Sequence, residues 1–262
     1  IPTILHGIPV DLRDLRVEVD RSQFTLNPTS CAEMAFGGTA SSVTGATAPL
    51  ADRFQVAGCA GLPFAPRLSA RLFGPTRRGA YPKLRAVLST HEGEANVARA
   101  AVTLPHSEFL AQEHIRTVCT RVQFAAGQCP KGSIYGSAKA WSPLLDQPLS
   151  GPVYLRSNGS ERKLPDLVAA LRGPLSQPIE IDLVGFIDSV HGGIRTRFES
   201  APDAPVSRFV MTMRGGSRGL LVNSTNLCRS GRKRAVVKTR GHNGKAHDFS
   251  VPVRSGCRKN HR

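Results

Sequence analysis

The run Ile179-Glu180-Ile181-Asp182-Leu183-Val184-Gly185-Phe186-Ile187, then His191-Gly192-Gly193, then Ile194 to Phe198, decides the fold class. Apolar residues take alternate places through its first half, and Glu180 and Asp182 sit between them. A period of two marks a strand with one face in a core and one in water, as in antiparallel sheets. The glycine pair carries hairpin chemistry, so the two segments fold back on each other. The same period recurs over Leu12 to Val19, Leu68 to Leu72, Leu84 to Leu88, Ala98 to Leu104, Ser133 to Ala138, Val153 to Leu155, Arg208 to Met213, Ala235 to Thr239 and Phe249 to Val253. Nineteen prolines and 25 glycines cut the chain into such short pieces. The expected fold is therefore all-β, with tandem immunoglobulin-like β-sandwich domains as the architecture. The cysteine–tryptophan–cysteine hallmark of that fold is missing, since Trp141 lies far from the cysteines at either end. Two segments fit a helix as well as a strand. Ser107 can cap a turn over Glu108 to Ile115. Leu164, Leu167, Val168 and Leu171 keep helical spacing around Pro165, or form a buried strand edge.

An internal duplication organises the chain. Leu26-Asn27-Pro28-Thr29-Ser30-Cys31 is similar to Val222-Asn223-Ser224-Thr225-Asn226-Leu227-Cys228. Asp52-Arg53-Phe54-Gln55-Val56 before Cys59 is similar to Asp248-Phe249-Ser250-Val251 before Cys257. One structural unit used twice explains this. Residues 1–59 then read as the C-terminal part of a β-sandwich unit, or as a small β domain held by its own disulfide. Residues 60–262 read as full β-sandwich unit(s) with a basic C-terminal region. The chain opens at Ile1 with no charged and apolar leader, so either a signal peptide has been removed or the chain is a piece of a longer one. The duplication favours the second.

Cys31, Cys59, Cys119, Cys129, Cys228 and Cys257 are even in number and lack the close spacings of a zinc site. They predict disulfides and an extracellular or cell-surface location. Sequence order offers the pairs 31–59, 119–129 and 228–257 among fifteen connectivities, and the duplication supports the first and last.

Lys and Arg total 35 against 19 Asp and Glu, a formal net charge of +16. Residues 229–262 carry eleven basic residues and one acid, Asp248. Such a field draws polyanions, unless it serves solubility alone. Arg232, Arg234, Lys238 and Arg240 share strand parity and would form one stripe, the candidate polyanion-binding site. No stretch of about 18 apolar residues provides a membrane span.

The segments Phe24 to Cys31, Cys59-Ala60-Gly61-Leu62-Pro63-Phe64-Ala65-Pro66, Val102 to Pro105, Cys119 to Pro130, Pro148-Leu149-Ser150-Gly151-Pro152-Val153-Tyr154-Leu155 and Gly219 to Cys228 run through most of the chain. Together they resemble a widespread group of uncharacterised secreted or cell-surface bacterial proteins, best represented in actinobacteria. The resemblance implies export, tandem β-rich modules and a long parent chain. It implies no catalytic residues.

The chemistry-bearing motifs are sparse. No HExxH, GxSxG, GxGxxG or Walker loop occurs, and no cofactor is expected. His242 and His247 beside Asp248 could form a base–orienter pair, but a surface hairpin explains them better. His91-Glu92-Gly93-Glu94 lacks a calcium loop's ladder of ligands and reads as a loop. Asp11, Asp14, Glu18 and Asp20, interleaved with arginines, read as surface ion pairs. Asn158 and Asn223 open glycosylation triplets, yet Asn223 sits in the duplicated motif and reads as a turn-fixing side chain. The expected function is a non-catalytic structural or adhesive module of an exported cell-surface protein, not an enzyme. The alternative is a binding module for anionic polymers through residues 229–262. The expected partners are an anionic polymer or cell-envelope component and neighbouring repeat domains.

Overall fold

The computed structural model describes residues 4–9, 16–18, 20, 25–174, 178–190, 193–229, 231 and 233–257. In chain order the strands are β1 (Ile4–Leu5), β2 (Ile8–Pro9), β3 (Met34–Ser41), β4 (Thr47–Phe54), β5 (Arg67–Phe73), β6 (Lys83–Ser89), β7 (Val97–Thr103) and β8 (Glu108–Leu110). One short helix, α1 (Arg121–Ala125), follows. Then come β9 (Ile134–Trp141), β10 (Leu149–Arg156), β11 (Asp166–Arg172), β12 (Glu180–Val190), β13 (Gly193–Phe198), β14 (Arg208–Met213), β15 (Leu221–Asn223), β16 (Arg234–Gly241) and β17 (Ala246–Arg254).

Eleven of these strands close into one barrel, in the order β10-β11-β12-β13-β7-β16-β17-β5-β6-β14-β9, and β9 pairs back onto β10. The expectation of tandem immunoglobulin-like sandwiches is corrected here. Alternation buries one face of each strand in either architecture, but a sandwich keeps sheet edges. Here the β9–β10 pair and the parallel β17–β5 pair join the ends and remove them. The remaining barrel pairs are antiparallel.

The sequence periods hold along the barrel. Ile181, Leu183 and Ile187 on β12 and Leu68, Ala70 and Leu72 on β5 face the interior. The segment of ambiguous spacing is strand β11, not a helix. Its outward Val168 and Ala170 are buried as well as its inward Leu167, Ala169 and Leu171. A strand covered on both faces loses its alternation and mimics helical spacing. Glu108 to Ile115 is also not a helical run: it is β8 followed by a single 3-10 turn at Gln112–His114.

β8 pairs with β15 as a short ribbon across one end of the barrel. Leu110, Leu220 and Leu221 of this floor join the main core. Within the ribbon Glu108 stands opposite Asn223. Both are fully buried, and Glu108 Oε2 and Asn223 Oδ1 lack a hydrogen-bond partner. An unpartnered carboxylate oxygen at a fully buried position favours the protonated, uncharged acid. Burial pushes the Glu108 carboxyl up, against the Ser107 hydroxyl that donates to Oε1 and the charge of Lys233. A raised acid stabilises the fold fully below its unfolded pKa of about 4.3, and that stability is lost as pH rises through the folded value. Glu108→Gln supplies a permanent donor. Its thermal midpoint should therefore be flatter than wild type's as pH rises above about 5, with a gain of roughly 1–2 kcal/mol at the alkaline end. A steeper fall would mean that Glu108 is ionised and held by Lys233.

The disulfides are Cys31–Cys59, Cys119–Cys129 and Cys228–Cys257, the order-based pairs. The first and last frame similar hairpins. β3 and β4 lie between Cys31 and Cys59 and turn at Gly45 with φ +87°. β16 and β17 lie between Cys228 and Cys257 and turn at Gly244 with φ +80°. The second hairpin completes the barrel between β7 and β5. The first stands outside it as a two-stranded sheet, with Phe36 68% and Leu50 57% exposed. Asp203, in the β13–β14 connection, ties the chain before this hairpin to the barrel rim. Its carboxylate accepts from Thr29 Oγ1 at 2.7 Å, Ser30 N at 2.8 Å and Asn96 Nδ2 at 2.8 Å.

Candidate functional site: an apolar cavity inside the barrel

A barrel of about eight strands is filled by its own side chains, and wider ones leave space. Eleven strands make this interior wide, and Ala86, Ala98, Ala100 and Ala140 line it with single methyl groups. What remains is a cavity of about 330 Å³. It runs from the floor at Leu220 and Leu221 to the opposite rim. There the connections between strands contribute Leu144, Leu145, Ile179, Pro202, Pro205 and Val206. Leu144 and Ile179 are exposed at this mouth. Leu84, Val102 and Phe209 face inward yet are only partly buried, because part of their surface meets the empty interior. The few polar lining groups are committed elsewhere. Thr239 Oγ1 donates to His247 O, and Thr90 Oγ1 donates to Val206 O. Arg99 also borders the cavity, but on β7 it is exposed and has outward parity, so the wall offers chiefly dispersion contacts.

The outer wall is the reverse. Arg195 and Arg197 bracket Asp188 on the β12–β13 face, and Arg172 pairs with Asp182 at 2.7 Å. An apolar interior with a charged exterior is opposite to a barrel whose outside meets lipid. Among the described residues no helix is long and apolar enough to cross a membrane.

The candidate basic stripe is assembled only in part. Arg234, Lys238 and Arg240 do share the outer face of β16, as parity predicts. Arg232 lies outside the described residues. Arg240 pairs with Asp248 at 2.7 Å across the β16–β17 register, and the Arg234 guanidinium donates to Ser250. Arg240 first, with Lys238 adding, holds the Asp248 carboxyl below the usual range. The acid that composition counted as one against eleven thus sits in the middle of the stripe.

The remaining sequence candidates find local roles. His242 Nε2 lies 3.0 Å from Ala201 O, and His247 packs on Phe249. Asp248 is engaged by Arg240, so these three form no base–orienter pair. Glu94 turns back onto the His91 backbone N–H at 3.1 Å and closes its own loop. Among the described residues no group of three His, Cys, Asp or Glu could hold a metal ion. Asn158 and Asn223 are 3% and 1% exposed. Their amides donate to Leu164 O and to Pro75 O and Arg77 O. Asn223 therefore holds the distant Pro75–Arg77 segment and not the turn before Cys228 that its motif suggested, and a glycan on either would need the fold to open. Of the acidic cluster, Asp11 and Asp14 lie outside the described residues. Sequence reasoning missed the cavity itself. Its signal was the alanines on inward parity of β6, β7 and β9.

No family model matches the chain, and no curated protein does. Among solved structures, a crystal structure of a DUF4466 family protein from Parabacteroides merdae is similar at a TM-score of 0.30 and 6% identity. The similarity covers 72% of this chain and 45% of that one, so the chain spans less than half of its neighbour's length.

Proposed function

We propose that the barrel is a non-catalytic binding module of an exported protein, and that it holds one extended apolar chain of the acyl type. The observation that carries this reading is the elongated cavity of about 330 Å³ with an almost wholly apolar wall and an apolar mouth. Its size falls at the small end of ligand pockets, so it suits one chain rather than several. From Ile181 to Ile187 the lining covers about 20 Å of strand, or about 15 Å of barrel axis after strand tilt. That length takes roughly a dozen methylenes, at about 0.8 kcal/mol each when buried. Against an association cost of at least about 4 kcal/mol, this leaves about 6 kcal/mol, a Kd in the tens of micromolar. The disulfides support an oxidising, extracellular setting.

The test is titration of a fluorescent long-chain acyl probe into the oxidised protein. One saturable site per chain, unchanged between about 0.1 M and 1 M salt, is expected, since an apolar contact is not screened. Absence of saturation, or affinity that collapses with salt, would refute the cavity as the site.

A structural role in a tandem array is the second reading. The observation favouring it is the β3–β4 hairpin, which repeats the disulfide and turn of the barrel-completing β16–β17 hairpin while its apolar side chains stay exposed. On this reading a neighbouring β-rich unit covers that hairpin, and each unit adds a barrel to a cell-surface chain.

A further inference from the structure

The positive charge of this protein is unevenly placed around the barrel. Strands β5, β6, β9 and β14 carry Arg67, Arg71, Lys83, Arg85, Lys139 and Arg208 and no acid. On the opposite wall, β10 to β13 pair Arg156, Arg172, Arg195 and Arg197 with acids. None of the six residues on the first wall forms an ion pair among the described residues.

Register turns this excess into a line. Arg254 on β17 stands beside Arg71 on β5, Arg71 beside Arg85 on β6, Arg85 beside Thr212 on β14, and Thr212 beside Ser137 on β9. At about 4.8 Å per strand the row is roughly 19 Å long. All three arginines are exposed, and Arg71 lies over the Phe73 ring at 4.9 Å. The row ends in a surface pocket of about 440 Å³. Lys83, Arg214 and Arg218 line it together with the hydroxyls of Ser137, Thr212 and Ser217, and no acid does.

We propose that this wall binds a linear polymer bearing phosphate groups, with one phosphate in the pocket and its neighbours along the arginine row. Three cations and three hydroxyls converge on the pocket. A carboxylate holds its two oxygens in one plane with its carbon, whereas a tetrahedral in-chain phosphate adds two bridging oxygens out of the plane of its two anionic ones and so meets donors from more directions. Guanidinium forks suit phosphate oxygens along the row. The two outward-facing aromatic rings on this wall, Phe73 and Trp141, lie under the guanidinium groups of Arg71 and Arg208, so they are covered as stacking platforms and recognition goes through the charged backbone of the polymer. This site is independent of the interior cavity; its row starts on β17, next to β16, but its pocket, on β6, β14 and β9, lies at least three strands from the β16 stripe.

The probe is inorganic polyphosphate, with polyglutamate of matched charge as the second arm. Binding of the full oxidised chain is followed through a salt titration. Arg85→Gln with Arg214→Gln should weaken polyphosphate at least tenfold and make the log–log salt slope shallower by about one to one and a half. Arg234→Gln with Lys238→Gln on β16 should change affinity less than threefold. Both pairs are exposed, so all three proteins should unfold at the same midpoint. Equal losses in the two variants would overturn the site in favour of diffuse attraction. Polyglutamate bound as tightly as polyphosphate would overturn the phosphate preference, and no saturable binding would overturn both.

Discussion

Replacing Ala100 and Ala140 together by phenylalanine is expected to weaken an acyl probe by about 100-fold, or about 2.8 kcal/mol, with the unfolding midpoint unchanged or raised. Ala100 lies on β7 and Ala140 on β9, and both line the cavity. In the ring of eleven strands these two stand on opposite walls. Ala140 lies one residue from the mouth end of β9, and Ala100, midway along β7, is level with Phe198 at the mouth end of β13. Two rings entering from opposite sides would meet where the guest must pass. In a filled core such enlargement costs about 1–3 kcal/mol of strain per site. In an empty one the added carbons gain dispersion partners instead. The two measurements therefore separate the cases. Lost binding with retained stability places the guest inside the barrel. A fall of more than about 3 kcal/mol in stability would mean that the interior is already full.

Local pattern and long-range closure divide what the sequence told in advance from what it did not. The alternation Ile179-Glu180-Ile181-Asp182-Leu183 assigned strand and inward face correctly, because burial on one side leaves a period of two. β11 shows the limit of that rule: buried on both sides, its spacing could be read either way. Cysteine order offered the disulfide pairs, and the duplicated motif supported the first and last, each of which spans one hairpin. Nothing local could distinguish a sandwich from a barrel. That choice rests on pairs such as Val253 with Ala70, which are far apart in sequence and set by whole-sheet geometry. The functional surfaces follow the same division. Parity placed Arg234, Lys238 and Arg240 on one face, but only register brought Asp248 between them. The row of Arg254, Arg71 and Arg85 joins three strands, two of them close in sequence and the third nearly 170 residues further on, and was invisible until their pairing was known.

Gly151→Ala should destabilise the protein by about 3–5 kcal/mol or prevent folding altogether. Gly151 lies on β10 between β9 and β11. A Cβ there would collide with the carbonyl oxygen of Ala170 and lie 2.9 Å from its carbonyl carbon. Both are backbone atoms of a central strand, so no rotamer change can relieve the contact. The following residue, Pro152, fixes its own φ and confines the preceding residue to extended conformations. The chain cannot swing the methyl group away without breaking the pairing of Gly151 with Ala138 or the ladder to β11. Gly38→Ala on β3 provides the matched comparison, because nothing lies within 4 Å of a Cβ at that position. It should shift stability by less than about 0.5 kcal/mol. Urea unfolding of both variants under non-reducing conditions measures the difference. A small effect at Gly151 would show that β10 and β11 are not held at the separation described here. A barrel in which those strands can part would also have a second route to its interior, away from the mouth at Leu144 and Ile179. Loss of folding at Gly151 with none at Gly38 would instead leave the mouth as the route by which a guest enters.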